Sequence, residues 1–328
     1  MTYAFDPELT PWAAMLPEFP LSDVPRARQQ EAALMAQLPV YEPPVPLDVR
    51  DTAVPGPDGA PEVPVRIYTP RDREGGLPGL IYLHPGGFVA GSVDGFHANA
   101  SRIAAEVGAV VVSVEYRLAP EHPFPAGLED GYAALAWIAE HASELDIDPD
   151  RLGVAGESAG GGLAAALALL ARDRGGPALC FQFLGFPELD DRLETPSMRA
   201  FTDTPMFNRL DAEFSWDYYL GGAGIRGGVG VSAYAAPARA GDLAGLPPAY
   251  VLVCEFDPVR DEGLQYAQRL IQAGVATELH LFPGTFHGSI GVPDARVSRR
   301  MRAEQVDALG RGLRAGIQQA EAAGHAAT

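Results

Sequence analysis

Apolar residues fall along this chain in short unbroken runs, separated by longer stretches with helical spacing. Val63–Thr69, Leu80–His84, Ala109–Tyr116, Leu152–Ala155, Leu179–Leu184, Tyr250–Glu255 and Thr277–Phe282 each read as a strand. Val110, Val111 and Val112 show no polar alternation, as in a strand buried on both faces. Leu128, Tyr132, Leu135 and Ile138 recur on one face and predict a helix over Leu128–His141. A second helix has the apolar core Leu163–Ala171, and Val297–Ala320 predicts a closing helix with arginine and glutamine outside. Strands alternating with helices define an α/β domain: a mostly parallel sheet covered on both faces. There are no internal repeats, and Gly221–Gly230 reads as a loop.

Two segments break the alternation. Residues 1–50 are rich in proline and aromatic residues, and residues 188–240 interrupt the spacing between strands. Both are expected to meet above the strand ends as a cap. Residues 51–187 and 241–328 then form the two parts of the core. Within the cap, Phe201, Phe207, Phe214, Trp216, Tyr218 and Tyr219 offer an apolar wall, to which Trp12, Met15 and Phe19 could add. Phe88, Phe207, Phe214 and Trp216 are the candidate substrate-binding residues. Burial of an acyl chain there would contribute about 0.8 kcal/mol per CH₂, so cap shape should set chain-length preference. For any one aromatic, plain packing of cap on core is the competing reading.

The strand ends carry the chemistry. Gly156-Glu157-Ser158-Ala159-Gly160 follows the run Leu152–Ala155 and opens a glycine- and alanine-rich helix. A serine at such an apex needs small neighbours two residues away on each side, because a side chain there collides with the turn. Upstream, a strand runs into His84-Pro85-Gly86-Gly87-Phe88. Glycine backbone amides at this place can approach the oxygen that becomes negative during acyl transfer; losing one such donor costs roughly 3–4 kcal/mol. Gly86, Gly87 and Ala159 are the candidate donors. Downstream, Asp257 and His287 each follow a predicted strand. Their order after Ser158 suits a serine activated by a histidine base and an orienting acid. Asp261 is the rival acid, expected inside the following helix. Taken singly, an Asp after a strand is a turn residue or cap, and a loop histidine is a surface group.

Taken together, His84-Pro85-Gly86-Gly87, Tyr116–Ala126, Gly156–Gly161 and Asp257–Glu262 resemble the signatures of the hormone-sensitive-lipase family of α/β-hydrolase esterases. The likeness spans about residues 60 to 315. It implies an α/β-hydrolase fold with an eight-stranded, mostly parallel sheet and a helical cap. It also implies a triad of Ser158, Asp257 and His287, an oxyanion hole from Gly86, Gly87 and Ala159, and hydrolysis of short- to medium-chain esters. Two positions depart from the family pattern. Pro85 stands where glycine is usual, and Glu157 replaces the more usual Asp beside the nucleophile. Neither removes an expected donor. The prolines and Glu121 of Tyr116–Ala126 are expected to brace the floor of the site.

Composition narrows the alternatives. At 328 residues, nearly half apolar, the chain can bury a large core. All 24 basic residues are arginine. That excludes Ser-x-x-Lys esterases, P-loop hydrolysis and Schiff-base chemistry. A formal charge of −19 argues against a nucleic-acid partner and disfavours anionic bilayers. Cys180 and Cys254 lie in separate apolar runs read as adjacent strands, so buried thiols are expected rather than a bridge. The start, Met1–Asp6, lacks the basic-then-apolar pattern of an export signal. The apolar core Leu163–Ala171 falls well short of the roughly 20 residues that span a bilayer. A cytoplasmic location without stable membrane insertion is expected. The six histidines besides His287 show no metal-ligand spacing, and neither metal nor cofactor is assigned.

These readings converge on a cofactor-independent serine carboxylesterase acting on a small ester through an acyl-enzyme. A specialised deacetylase or amidase acting on a metabolite or drug, a lipase proper, and a catalytically silent fold that binds a small ligand are the alternatives. A complete proton relay weighs against the silent fold. The final strand, as a sheet edge, could pair with a second copy and make a homodimer.

Overall fold

In the computed structural model, which describes residues 3–17, 19–57, 59–71 and 75–326 with side chains to residue 314, eight strands form one sheet. They are β1 (Leu47–Val54), β2 (Val63–Pro70), β3 (Leu77–Leu83), β4 (Val110–Val114), β5 (Ile147–Glu157), β6 (Phe181–Gly185), β7 (Ala249–Phe256) and β8 (Thr277–Phe286). Their spatial order is β1-β2-β4-β3-β5-β6-β7-β8. β2 is antiparallel to both β1 and β4, and every other pairing is parallel. The carboxyl ends of β3, β5, β6, β7 and β8 therefore share one rim, where the connecting loops meet.

Burial follows the hydrophobic runs. Every residue of β3, β4 and β6 is buried, in keeping with their largely apolar character; the polar exceptions are Ser113 and Gln182, the latter donating to the Pro247 carbonyl (2.9 Å). The helix Ala159–Arg174 is buried from Ala159 to Ala171. Its alanines and glycines let it lie close under the sheet. On the predicted helix, observed as Ala126–Glu140, Leu128, Leu135 and Ile138 are buried while Tyr132 is half-buried. The closing helix runs Arg296–Ala326, longer than the pattern suggested; His325 and the last predicted turns of this helix fall outside the side chains described. Met1 and Thr2 are likewise outside the described residues.

β1 has no counterpart in the hydrophobic pattern. Its residues from Asp48 to Ala53 are all exposed, because it is an edge strand facing water on both sides. Ion pairs from Arg66 in β2 to Asp51 (2.6 Å) and from Arg71, just after β2, to Asp48 (2.5 Å) accompany its backbone ladder. β8 closes the opposite edge. Cys254 is buried in β7 and Cys180 is half-buried one residue before the adjacent β6; both thiols are free.

Above the rim, the segment 1–50 contributes helices Thr10–Met15 and Val24–Met35, and the segment 188–240 contributes Pro196–Ala200 and Arg209–Tyr219. Asp23 caps the second helix, accepting from the Arg26 N–H (3.2 Å). Arg28 on that helix donates to the carbonyls of Val89 (2.7 Å) and Ala119 (3.1 Å). It also grips Glu121 with both terminal nitrogens (2.8 and 2.7 Å). Glu121, expected from sequence to brace the floor of the site, thus holds the helix Val24–Met35 through Arg28. Among the described residues, no helix is long and apolar enough to cross a membrane.

Candidate active site

Ser158 sits between β5 and the helix Ala159–Arg174 with φ 55°, a conformation that ordinary side chains rarely adopt. The turn holds because its neighbours have no side chain. A Cβ on Gly156 would lie 2.2 Å from the Gly160 carbonyl oxygen, and one on Gly160 would lie 2.1 Å from that of Leu83. Gly162 is under the same constraint, 2.2 Å from the Glu188 carbonyl oxygen. The sequence reading anticipated the first two but placed both collisions in the turn itself, which holds for Gly156 and not for Gly160; it missed the third.

The shared rim brings the three strand-end residues together. His287 Nε2 lies 2.8 Å from Ser158 Oγ, and His287 Nδ1 lies 2.8 Å from Asp257 Oδ2. Asp257 Oδ1 accepts from the Val259 N–H (3.0 Å), which fixes the carboxylate plane. All three side chains are buried. The imidazole is wedged between Phe186, edge-on at 4.9 Å, and Phe207 at 4.7 Å and 30°. Asp261 does lie in the next helix and turns away: it accepts from the Ser197 N–H (2.7 Å) and pairs with Arg260 (2.8 Å).

Gly86 and Gly87 have φ of 135° and 58°, and a Cβ on Gly86 would lie 2.1 Å from the Ala90 carbonyl oxygen. Among the described residues, the amides of Gly86, Gly87 and Ala159 have no protein acceptor. They are free to receive one from a ligand. The loop is braced from below. His84 is fully buried, stacks on Tyr116 at 4.2 Å, and is held neutral by burial, its pKa lowered to about 4. Tyr116 donates to the His84 carbonyl (2.8 Å).

Ser158 and His287 open into a cavity of about 420 Å³, within the range of small-molecule sites. Phe207, Phe186 and Phe96 supply aromatic walls; Leu21, Met35 and Ile290 supply aliphatic ones. Of the four predicted substrate-binding residues, Phe207 alone lines this space. Phe88 is buried in a stack with Tyr219 (3.9 Å) and Trp216 (5.6 Å), so both Phe88 and Trp216 seal cap to core. Phe214 borders a separate crevice of about 810 Å³ between the cap segments. Of the other residues expected in the apolar wall, Phe19 reaches this cavity, Trp12 packs with Phe286, and Met15 is exposed. Missed from sequence were the walls from the helix Val24–Met35 and from residues 94–99. The Asp23 cap and Pro25 mark that helix, but nothing local shows which face meets the cavity.

Two buried carboxyls, Glu157 and Glu188, and the half-buried Glu31 surround the site. Glu157 accepts from the Tyr82 hydroxyl (2.8 Å) and the Gln305 amide (2.5 Å), and burial pushes its pKa up to about 7. Glu31 accepts from the Gly91 N–H (2.6 Å) and is likewise raised to about 7 by burial. Glu188, reached from the Gly87 carbonyl through Ser215, is raised to about 8, again chiefly by burial.

A strained serine at a strand-to-helix turn, a histidine and an aspartate on neighbouring loops, and glycine amides facing a cavity define a serine hydrolase of the α/β type. Comparison with known proteins agrees. The family described as alpha/beta hydrolase fold matches residues 80–291. Carboxylesterase NlhH of Mycobacterium tuberculosis is 43% identical over 266 residues, covering 79% of each chain. Esterase LipI of the same organism is 42% identical over 248 residues, covering 75% of this chain and 76% of that one. Among solved structures, a bacterial heroin esterase superposes with a TM-score of 0.90 at 49% identity, covering 94% of this chain and 98% of the other. Esterase LipW from Mycobacterium marinum gives 0.83 at 39% identity, covering 94% and 96%. The chain belongs to the α/β-hydrolase family, among its hormone-sensitive-lipase-like carboxylesterases.

Proposed function

We propose that this serine carboxylesterase works through Ser158, His287 and Asp257, with the amides of Gly86, Gly87 and Ala159 as its oxyanion hole. Ser158 Oγ attacks the ester carbonyl as His287 Nε2 takes its proton, and Asp257 holds the ring in the productive tautomer. The alkoxide that forms meets the three amides. His287 then protonates the departing alcohol, and a water activated by the same ring releases the acid from the acyl-enzyme. The observation that carries this reading is the continuous chain Ser158–His287–Asp257, each link 2.8 Å, opening into a cavity beside unused amides.

Residues 1–50 and 188–240 act as the cap in this reading. A short- to medium-chain acyl group fits a cavity of about 420 Å³ walled by Phe207, Phe186 and Phe96. A second reading, a deacetylase for a drug-like or metabolite ester, is favoured by the likeness to the heroin esterase. Profiling p-nitrophenyl esters from acetate to palmitate, alongside an acetylated aryl alkaloid, tests both. Activity should peak at or below butyrate and vanish in Ser158→Ala; turnover persisting in that variant would overturn the assignment. The exposed β8 edge, with Leu279 at its surface, supports a homodimer, which sedimentation velocity would detect. The two free thiols fit a reducing, cytoplasmic setting.

A further inference from the structure

Behind the oxyanion loop lies a buried carboxyl that the mechanism does not use. Glu188 follows β6, and its side chain is fully enclosed. Its Oε1 lies 2.7 Å from Ser215 Oγ, and that hydroxyl lies 3.1 Å from the Gly87 carbonyl oxygen. Oε2 has no partner among the described residues. The backbone around it is fixed: the Glu188 N–H donates to the Ser158 carbonyl (3.1 Å), and Gly162 packs against the Glu188 carbonyl.

A proton count decides what this chain can be. Ser215 has one hydroxyl hydrogen and faces two oxygen acceptors. If Glu188 is ionised, its charge takes that hydrogen, and the Gly87 carbonyl is left without a donor. If Glu188 is protonated, its own hydrogen goes to Ser215 Oγ, and Ser215 can donate to Gly87. Both contacts are hydrogen bonds only in the second arrangement. The surroundings favour it. The ionisable groups that act on Glu188 or respond to its charge are Asp257, Asp211, Glu262, Tyr219 and Tyr116, and none is cationic. Burial and the nearby carboxylates Asp257 and Asp211 therefore oppose ionisation, with the pKa raised to about 8.

We propose that protonated Glu188 is a positioning residue that, through Ser215, holds the Gly87 carbonyl and so keeps the oxyanion loop aimed at the reacting carbonyl. Ser215 belongs to the helix Arg209–Tyr219, so the same relay couples cap docking to the loop. Raising the pH removes the Glu188 proton to solvent, turns Ser215 toward the carboxylate, and frees the loop. The effect falls on the transition state, hence on kcat more than on KM.

This inference rests on the assignment of Gly87 to the oxyanion hole. Its test is kcat and KM for p-nitrophenyl butyrate from pH 6 to 10, corrected for spontaneous hydrolysis, in the parent, Glu188→Gln and Ser215→Ala. The parent should lose kcat about tenfold through an alkaline limb near pH 8, since indirect loosening costs less than deleting a donor outright. Glu188→Gln keeps a donor to Ser215 that cannot ionise, so its kcat should stay level across that range. Ser215→Ala should be about tenfold slow at every pH and show no limb. No alkaline limb in the parent, or the same limb in Glu188→Gln, would overturn the relay. Should Glu188→Gln fail to fold by circular dichroism, a persisting limb in folded Ser215→Ala decides against it equally. A parent inactive on all esters would sink the esterase assignment, an outcome distinct from either.

Discussion

The ring of Phe207 covers the imidazole of His287, centroids 4.7 Å apart at 30°, so it walls one side of the proposed catalytic base. Phe207 also lines the cavity, and thus meets substrate and base at once. Phe207→Ala should therefore enlarge the acyl site and loosen the ring together. Turnover of acetate esters should fall several-fold while hexanoate and octanoate gain relative to it. A chain-length profile on the purified variant checks this, and an unchanged ratio of octanoate to acetate would contradict it.

Gly86 offers a sharper test of the oxyanion loop. Its φ of 135° and the 2.1 Å approach of a Cβ to the Ala90 carbonyl leave no room for alanine. Gly86→Ala must displace the loop, and kcat should fall roughly 100-fold or more, the cost of a lost donor. Thermal unfolding of the variant separates loop displacement from global collapse.

The buried acids predict a direction for stability against pH. Folding raises the pKa of Glu157 from 4.5 to about 7 and that of Glu188 from 4.5 to about 8. Raised values mean the native state binds these protons more tightly than the unfolded chain does. Their stabilisation is complete below pH 4.5 and is lost as pH climbs through 7 and 8. Each contributes on the order of 3–5 kcal/mol across that window. The melting temperature should thus decline from about pH 5 to about pH 8 and level off above it, and Glu157→Gln should flatten part of the slope. Calorimetry in non-perturbing buffers measures it.

Charge inside the cavity should sort substrates. Its lining carboxyls are Glu31, Asp94 and Glu157, and no arginine lines it among the described residues. Asp94 is answered by Arg66 (2.8 Å), and Glu157 by Tyr82 and Gln305. Among the described residues, Glu31 receives only the Gly91 amide bond. A butyrate ester of a protonated amino alcohol should therefore be hydrolysed with higher kcat/KM than its neutral isostere, by several-fold at pH 8. Glu31→Gln should abolish that preference while leaving the neutral ester little changed. Equal preference in both proteins would rule Glu31 out as a counter-charge.

Much of the molecule could be read along the chain, for a local reason. Strands buried on both faces are rich in apolar residues, and β2 and β8 keep apolar residues toward the core, so seven of the eight strands announced themselves, and Ser158, Asp257 and His287 stood just past three of them. Gly156 was legible because its obstruction, the Gly160 carbonyl, lies within its own turn, whereas the obstruction at Gly160 is the carbonyl of Leu83 at the end of β3. β1 was not legible, since a strand open to water needs no apolar residue at all. Tertiary structure alone decided the rest. Parallel pairing of β5, β7 and β8 into one sheet aligned their ends and brought the relay within 2.8 Å. It also directed Phe88 and Trp216 into the seam, turned Phe207 to the cavity, and set Ser215 beneath Gly87. Which face of a cap helix meets the site depends on how two distant segments dock, and no spacing within either segment encodes that.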